Sequence, residues 1–389
     1  MNSILIRHVL LNDKKTNILI RGNRFEATDA SETAEASQII EGEGLAILPA
    51  FYNTHTHAAM TLLRGYADDM PLQTWLQDHI WPYEATMTAE DIRRGSAMAI
   101  REMTETGSVF FCDMYFAIDG TIAEAAQAGI RAAVGVTFLD GHPLCNAHDQ
   151  ARRLGTWQDM DGRITLTAAP HAIYTVGTES LQTAARLARE NGKRITIHLS
   201  ETRKEVEDCI KAHGTTPVRY LDSIGFLGPD VIAAHCVYID PEEWDIMAAR
   251  GVTVSHCPCS NMKLGSGRFP YEEAIRSGVR MTLGTDGCSS NNNLDMREEM
   301  KTAALLAKVQ GDPSLLPAQE VMKWATVNGA EAFGIHAGVI ARGKLADALL
   351  IDLSVSKMQP CHNLISNWVY AADTSCIRTV ICDGKILMP

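Results

Sequence analysis

The chain has no apolar stretch approaching the ~18–20 residues that a helix needs to cross a bilayer, so no membrane span is expected. Its first residues, Met1 to Leu11, lack a basic segment and a small-residue cleavage site, and they read as a strand rather than a secretion signal. Positive charge is short as well: 35 lysines and arginines face 47 aspartates and glutamates, a formal net charge of −12. Such a surface repels a phosphate backbone, which argues against a nucleic-acid partner. The 10 cysteines form no disulfide framework, and several stand inside apolar runs. Without a secretion signal, this predicts reduced, buried thiols and a cytoplasmic location. There is no glycine-rich phosphate turn, no low-complexity tract and no obvious linker.

What is present is an alternation of elements. Short apolar, β-branched runs at 45–57, 108–115, 131–140, 164–174, 194–201, 231–237, 253–261 and 280–287 are separated by longer amphipathic stretches. That order is the βαβα signature of a parallel sheet. The stretches between carry helix punctuation. Thr88-Ala-Glu-Asp91 has the form of a capping box, with Gly107 as the stop; Asp240-Pro241 supplies a cap and a proline at the first helical position, with Gly251 as the stop. Gly129, Gly192 and Gly214 stand at the expected ends of three others. Within 389 residues, eight such units predict an α/β chain built on a (β/α)8 TIM-type barrel rather than an open doubly wound sheet. Strand-like segments at 3–29, 347–353 and 378–387 predict a small β-sandwich domain made from both termini, residues 1–48 and 340–389, beside a barrel of residues 49–339.

The chemistry gathers at the ends of those runs. Residues two apart on a strand point the same way, so His55 and His57 face one side together. That pair alone is a weak signal. However, His171, His198, His235 and Asp286 close the fourth, fifth, sixth and eighth runs, and in a barrel all of these lie on the C-terminal face, where active sites of this fold are found. Imidazole and carboxylate ligands suit zinc, with iron or manganese as alternatives. One divalent metal is therefore expected, with room for a water whose pKa the metal lowers to about 7, giving a hydroxide nucleophile. Glu201, three residues after His198, is placed to shuttle protons beside the metal without ligating it. His235 is either a ligand or a hydrogen-bond partner of the water and the developing oxyanion.

The ordered set Pro49-Ala-Phe-Tyr-Asn-Thr-His-Thr-His57, His198-Leu-Ser-Glu201, Ala233-Ala-His-Cys-Val237, Ser260-Asn-Met-Lys-Leu-Gly265 and Leu283-Gly-Thr-Asp-Gly287 resembles the amidohydrolase superfamily. More narrowly, it is similar to the mononuclear branch that contains methylthioadenosine/S-adenosylhomocysteine deaminases and triazine chlorohydrolases. The likeness runs over nearly the whole chain. It implies a metal held by His55, His57, His198 and Asp286. It also implies Glu201 and His235 as proton-handling and polarising residues, with Asp286 accepting a proton from the water. Some superfamily members bridge two metals with a carboxylated lysine after the fourth strand. Residues 164–174 contain no lysine here, so one metal is expected.

The segment 64–84 holds Trp75, Trp81, Tyr83 and Glu84. By resemblance to the nucleoside-deaminating members, Trp75 and Glu84 match residues that contact the sugar, and His171 is expected to contact the nucleoside. A carboxylate suits vicinal hydroxyls because it accepts two hydrogen bonds at once. Members handling S-adenosylhomocysteine resemble one another in carrying an arginine near the end of the third strand and another in the next loop. Here Val136 and the stretch Gly141 to His148 supply neither, and His148 is a poor substitute for a guanidinium fork. The expected reaction is hydrolytic deamination of the 6-amino group of adenosine, 5′-deoxyadenosine or 5′-methylthioadenosine, with S-adenosylhomocysteine disfavoured. The alternative is action on another aminated N-heterocycle of guanine, pterin, cytosine or triazine type. A homo-oligomer and a small-molecule nucleoside are the expected partners. Cys257 and Cys259 are read as core thiols, Ser289 to Asn293 as a loop shaping the metal pocket, and Asp68-Asp69 as a solvated loop face.

Overall fold

The computed structural model describes residues 2–388 apart from 143, 144, 146, 160, 161 and 310, with only the backbone of 147 and 148. Five strands open the chain: β1 (Ser3–Leu11), β2 (Lys14–Arg21), β3 (Arg24–Ala27), β4 (Gln38–Glu41) and β5 (Leu45–Pro49). Eight follow that alternate with helices: β6 (Phe51–Thr56), β7 (Ser108–Tyr115), β8 (Arg131–Phe138), β9 (Ile164–Pro170), β10 (Ile195–Leu199), β11 (Val231–His235), β12 (Thr253–His256) and β13 (Arg280–Leu283). Three more close it: β14 (Ala348–Asp352), β15 (Ile377–Cys382) and β16 (Lys385–Met388).

Strands β6 to β13 pair in chain order, all parallel, as the helical crossovers between them require. Every residue of β7 and β8 is buried, the pattern of strands covered on both faces. The ring is drawn together between β13 and β6. Thr54 Oγ1 donates to the Leu283 carbonyl at 2.9 Å, Asn53 Nδ2 to Thr285 Oγ1 at 2.7 Å, and the Asp286 N–H to the His55 carbonyl at 3.0 Å. The helix signals hold. Thr88 and Asp91 form a reciprocal capping box on the helix Ala89–Glu105, Asp240 and Glu243 another on Pro241–Arg250, and Gly129, Gly214 and Gly251 end their helices in the left-handed conformation.

The terminal strands form one mixed sheet, in the order β16-β15-β14-β5-β1-β2-β3 with β4 beside β1. Rather than two independent layers, this single sheet curls over its own core of Ile4, Ile18, Phe25, Ile47, Leu350 and Ile381. A bridge between Arg24 and Leu345 brings its far parts together. The apolar run 45–57, expected as one strand, is split at Ala50. Its first half pairs antiparallel with β14 and its second enters the barrel. Pro49, with no N–H to offer a continuing ladder, stands at the changeover.

A buried polar cluster fastens barrel to sheet. Arg131 on β8 donates to Asp347 Oδ2 at 2.9 Å and to Asp383 at 2.6 Å, and the Tyr52 hydroxyl on β6 also donates to Asp347. Several expected strands stop early. The run 253–261 is strand only to His256, because Pro258 opens a helical turn over Pro258–Lys263. Within the segment 64–84, residues 72–84 are helical, with a π-helical turn Trp75–Ile80. No helix among the described residues is long and apolar enough to cross a membrane.

Candidate active site

The strand ends on the C-terminal side of the barrel open into a cavity of about 800 Å³. On its floor, the imidazoles of β6 and β10 and the carboxylate after β13 meet. Asp286 Oδ1 lies 3.5 Å from His55 Nε2 and 3.2 Å from His57 Nε2, and His198 Nε2 lies 3.3 Å from His57 Nε2. Donors spaced about 2.1 Å from a tetrahedral ion stand about 3.4 Å apart. The spacing fits one divalent cation. Gly284 makes the approach possible: a Cβ there would stand 2.8 Å from His55 Cβ and Ser255 Oγ.

The outer nitrogens are tied down. His57 Nδ1 bonds the Met114 carbonyl at 2.6 Å and His198 Nδ1 the His171 carbonyl at 2.7 Å, which turns each Nε2 inward. His55 is fully buried, and neither of its ring nitrogens has a hydrogen-bond partner among the described residues. A buried imidazole left so is costly unless a cation takes the lone pair. His55, His235 and Asp286 also have ligand atoms within 4.8 Å of one another.

The other oxygen of Asp286 is occupied. Ser260 Oγ donates to Oδ2 at 2.6 Å and Ser290 Oγ at 2.9 Å, leaving Oδ1 free to face the histidines. His235 Nδ1 bonds Asn261 Oδ1 at 2.8 Å, and its Nε2 lies 3.9 Å from Glu201 Oε2. Glu201 is 4% exposed and accepts a hydrogen bond from Ser266 Oγ at 3.1 Å. Burial raises its pKa above the usual carboxylate range, as a proton donor needs. His171, just beyond β9, bonds Thr175 Oγ1 at 2.8 Å, and burial pulls its pKa down to about 3, so its ring is neutral.

The wall above the floor carries Trp75 and Glu84. Trp75 is buried among Leu72, Leu76 and Ile80, and its indole N–H has no partner among the described residues. Glu84 Oε1 accepts the Tyr115 hydroxyl at 2.6 Å. Burial lifts the Glu84 pKa to about 7 even though that hydrogen bond opposes the shift. Trp75, Glu84, His171, His198, Glu201, His235 and Asp286 all line the one cavity, while His55 lies beneath it. Asp140 lines it too, its oxygens taken by the Gly177 N–H at 2.7 Å and Ser180 Oγ at 2.8 Å. No lysine or arginine is among the described lining residues.

Other groups were not singled out from sequence. Tyr115, Ser266 and Thr175 carry no local signal, because their partners are far along the chain or in a loop. Ser260 and Asn261 sit in a quoted motif but were assigned to a strand. Asp68 is not merely solvated: it pairs with Lys263 Nζ at 2.5 Å, joining the segment after β6 to the helix Pro258–Lys263. Cys257 is buried and Cys259 half-buried, in keeping with core thiols. The His148 side chain lies outside the described residues.

Residues 46–387 match the profile of the amidohydrolase family. The chain is 43% identical over 382 residues to a 5′-deoxyadenosine deaminase of Methanothermobacter thermautotrophicus, covering 96% of this chain and 90% of the relative. It is 45% identical over 376 residues to a 5-methylthioadenosine/S-adenosylhomocysteine deaminase of Archaeoglobus fulgidus, covering 96% and 89%. A solved adenosine deaminase from Xanthomonas campestris with bound zinc superposes with a TM-score of 0.94 at 35% identity, over 99% of this chain and 92% of that one. An atrazine chlorohydrolase from Arthrobacter aurescens, at TM-score 0.90 and 23% identity over 99% and 95%, shares the fold.

Proposed function

The chain belongs to the amidohydrolase family, and from that premise we propose that it hydrolyses the 6-amino group of an adenine nucleoside with a small uncharged 5′ end. One observation carries the reading. The buried carboxyl of Glu201 and the His/Asp cluster form the floor of the same cavity whose wall presents Glu84 and Trp75. Relatives that are 42–45% identical over most of the chain deaminate 5′-deoxyadenosine or methylthioadenosine and S-adenosylhomocysteine.

His55, His57, His198 and Asp286 would hold the metal, and zinc is the reading we favour, supported by the imidazole-rich donor set. Such an ion, when bound, supplies a water acidic enough to act as a nucleophile at neutral pH. Asp286 would accept a proton from the attacking water, with Ser260 and Ser290 steadying its second oxygen. Glu201 delivers its proton to N1 of the purine as oxygen adds to C6, and His235 Nε2 faces the oxygen that gains charge. Expulsion of the amino group with the proton held by Asp286, while the C6 hydroxyl proton passes to Glu201, yields ammonia and the hypoxanthine nucleoside. Glu84 accepts hydrogen bonds from the ribose hydroxyls, while Trp75 and neutral His171 border the sugar and base.

With no lysine or arginine among its described lining residues, the cavity offers an amino-acid carboxylate no guanidinium or ammonium partner, and Asp140 repels it. S-adenosylhomocysteine is accordingly the poorer substrate. The test is ammonia release by the zinc-loaded protein from adenosine, 5′-deoxyadenosine, methylthioadenosine, S-adenosylhomocysteine, guanine, cytosine and melamine. Turnover of the adenine nucleosides with S-adenosylhomocysteine lagging supports the reading. Turnover of free bases or triazines alone would remove the roles of Trp75 and Glu84.

A further inference from the structure

Glu205 lies in the first turn of the helix Arg203–His213, which follows β10. It is 4% exposed and makes no ion pair among the described residues. In an ordinary capping box, a glutamate at this third helical position reaches back to the N–H of the cap residue, here Thr202. Half of that arrangement is present, since the Thr202 hydroxyl accepts the Glu205 N–H at 3.2 Å. The Glu205 carboxylate, however, reaches past the cap. Its Oε1 accepts the Ser200 N–H and its Oε2 the Glu201 N–H, each at 2.8 Å.

The loop that it grips is unusual. Ser200 is left-handed, with φ of 49°, and its carbonyl accepts the N–H groups of Val237 and Tyr238 at 3.1 and 2.9 Å. The peptide units leading into Glu201 are therefore held from two sides. The far end of Glu201 is held by Ser266. Glu205 itself does not line the cavity.

We propose that Glu205 is a positioning residue: it fixes the backbone from which Glu201 reaches the purine, and acts on the reaction only through Glu201. This rests on the deaminase reading. The two N–H donors use both oxygens of Glu205 as acceptors, an arrangement that glutamine cannot reproduce, since its NH2 would confront one of the donors. The loop must then relax, and a shift of the order of 1 Å in a catalytic group can cost 10²-fold.

The experiment is a cycle on the zinc-loaded protein: wild type, Glu205→Gln, Glu201→Gln and the double variant, with kcat, KM and the pH–rate profile for adenosine. Glu205→Gln is expected to lower kcat by ~10–100-fold and leave KM nearly unchanged. In the Glu201→Gln background the same change should cost less than about 2-fold. An unaltered kcat, or the same factor lost in both backgrounds, overturns the proposal. If Glu205→Gln does not fold, Glu205→Asp, which keeps the charge but withdraws it by one methylene, takes its place under the same criterion. A wild type that releases no ammonia sinks the deaminase reading itself, whereas an active wild type with an additive cycle sinks only the role of Glu205.

Discussion

Replacing Glu84 by glutamine tests the substrate side of the site most directly. Glu84 stands on the cavity wall with Tyr115 on one oxygen, so the carboxylate has acceptor capacity left for the two ribose hydroxyls. Glutamine keeps one carbonyl acceptor and turns an NH2 toward the second hydroxyl. One charge-assisted hydrogen bond is lost and the other becomes neutral, a change of roughly 1.5–3 kcal/mol. That corresponds to about a 10- to 100-fold fall in kcat/KM for adenosine. The control is 2′,3′-dideoxyadenosine, which wild type should handle poorly and on which Glu84→Gln should have little further effect. The pH dependence gives a second reading of the same group. With its pKa lifted to about 7 by burial, Glu84 is protonated below that pH and loses an acceptor, so kcat/KM should fall as pH drops through about 7. Tyr115→Phe removes the hydrogen bond that holds this pKa down, and should move the acid limb to higher pH. In Glu84→Gln the limb should disappear. Equal losses on adenosine and the dideoxynucleoside, with the limb unmoved, would refute the ribose-anchor assignment.

Glu201→Gln should retain its metal, by elemental analysis, while ammonia release drops by ~10²–10⁴-fold; a smaller loss would assign the proton transfer elsewhere. Chelation should abolish turnover and lower the melting temperature, because the buried ring of His55 would lose the cation on its Nε2, and zinc should restore both. Full activity in protein shown to be metal-free would overturn the ligand assignment. Asp347→Asn leaves buried Arg131 with Asp383 as its remaining anion, and should cost about 3 kcal/mol in urea unfolding. A loss below about 1 kcal/mol would show that the barrel–sheet junction does not depend on this pair.

The barrel was legible because each parallel strand is an apolar run with a helix signal after it, and those signals are local. Thr88, Asp240 and the stop glycines do in the structure what their residue types allow. The split at Ala50 was hidden because both halves of 45–57 are apolar for different sheets. Strand ends were overrun wherever polar residues of the site continue an apolar run, as at Cys257 to Asn261. The histidines and Asp286 were legible as strand-end residues. Ser290 falls in the loop read as shaping the metal pocket, but the bonds of Ser260 and Ser290 to Asp286, of Ser266 to Glu201 and of Tyr115 to Glu84 were not legible, because a hydroxyl's role depends on a partner that sequence spacing does not reveal.

One feature of the site contradicts simple strand periodicity and explains where those ends fall. His198 and Glu201 are three residues apart, and on a continuing strand they would point to opposite faces. Both nevertheless line the cavity. The left-handed Ser200 between them reverses the chain's sense and returns Glu201 to the inner side. The same device recurs at His235 and Cys236 at the end of β11, with φ of 71° and 52°, and at Asp286 after β13, with φ of 60°. Each such residue costs of the order of 1–2 kcal/mol. Bonds across the strand ends hold them there: Cys236 N–H to the Leu199 carbonyl at 3.0 Å, Asp286 N–H to the His55 carbonyl at 3.0 Å, and the Glu205 carboxylate on Ser200. Other left-handed residues, such as Asn12, Asp13 and Asp383, stand in hairpin turns, whereas Ser200, His235, Cys236 and Asp286 stand at strand ends and carry the proposed chemistry or adjoin it. The barrel thus supplies the radial position of these groups, and the left-handed exits supply the direction of Glu201, His235 and Asp286.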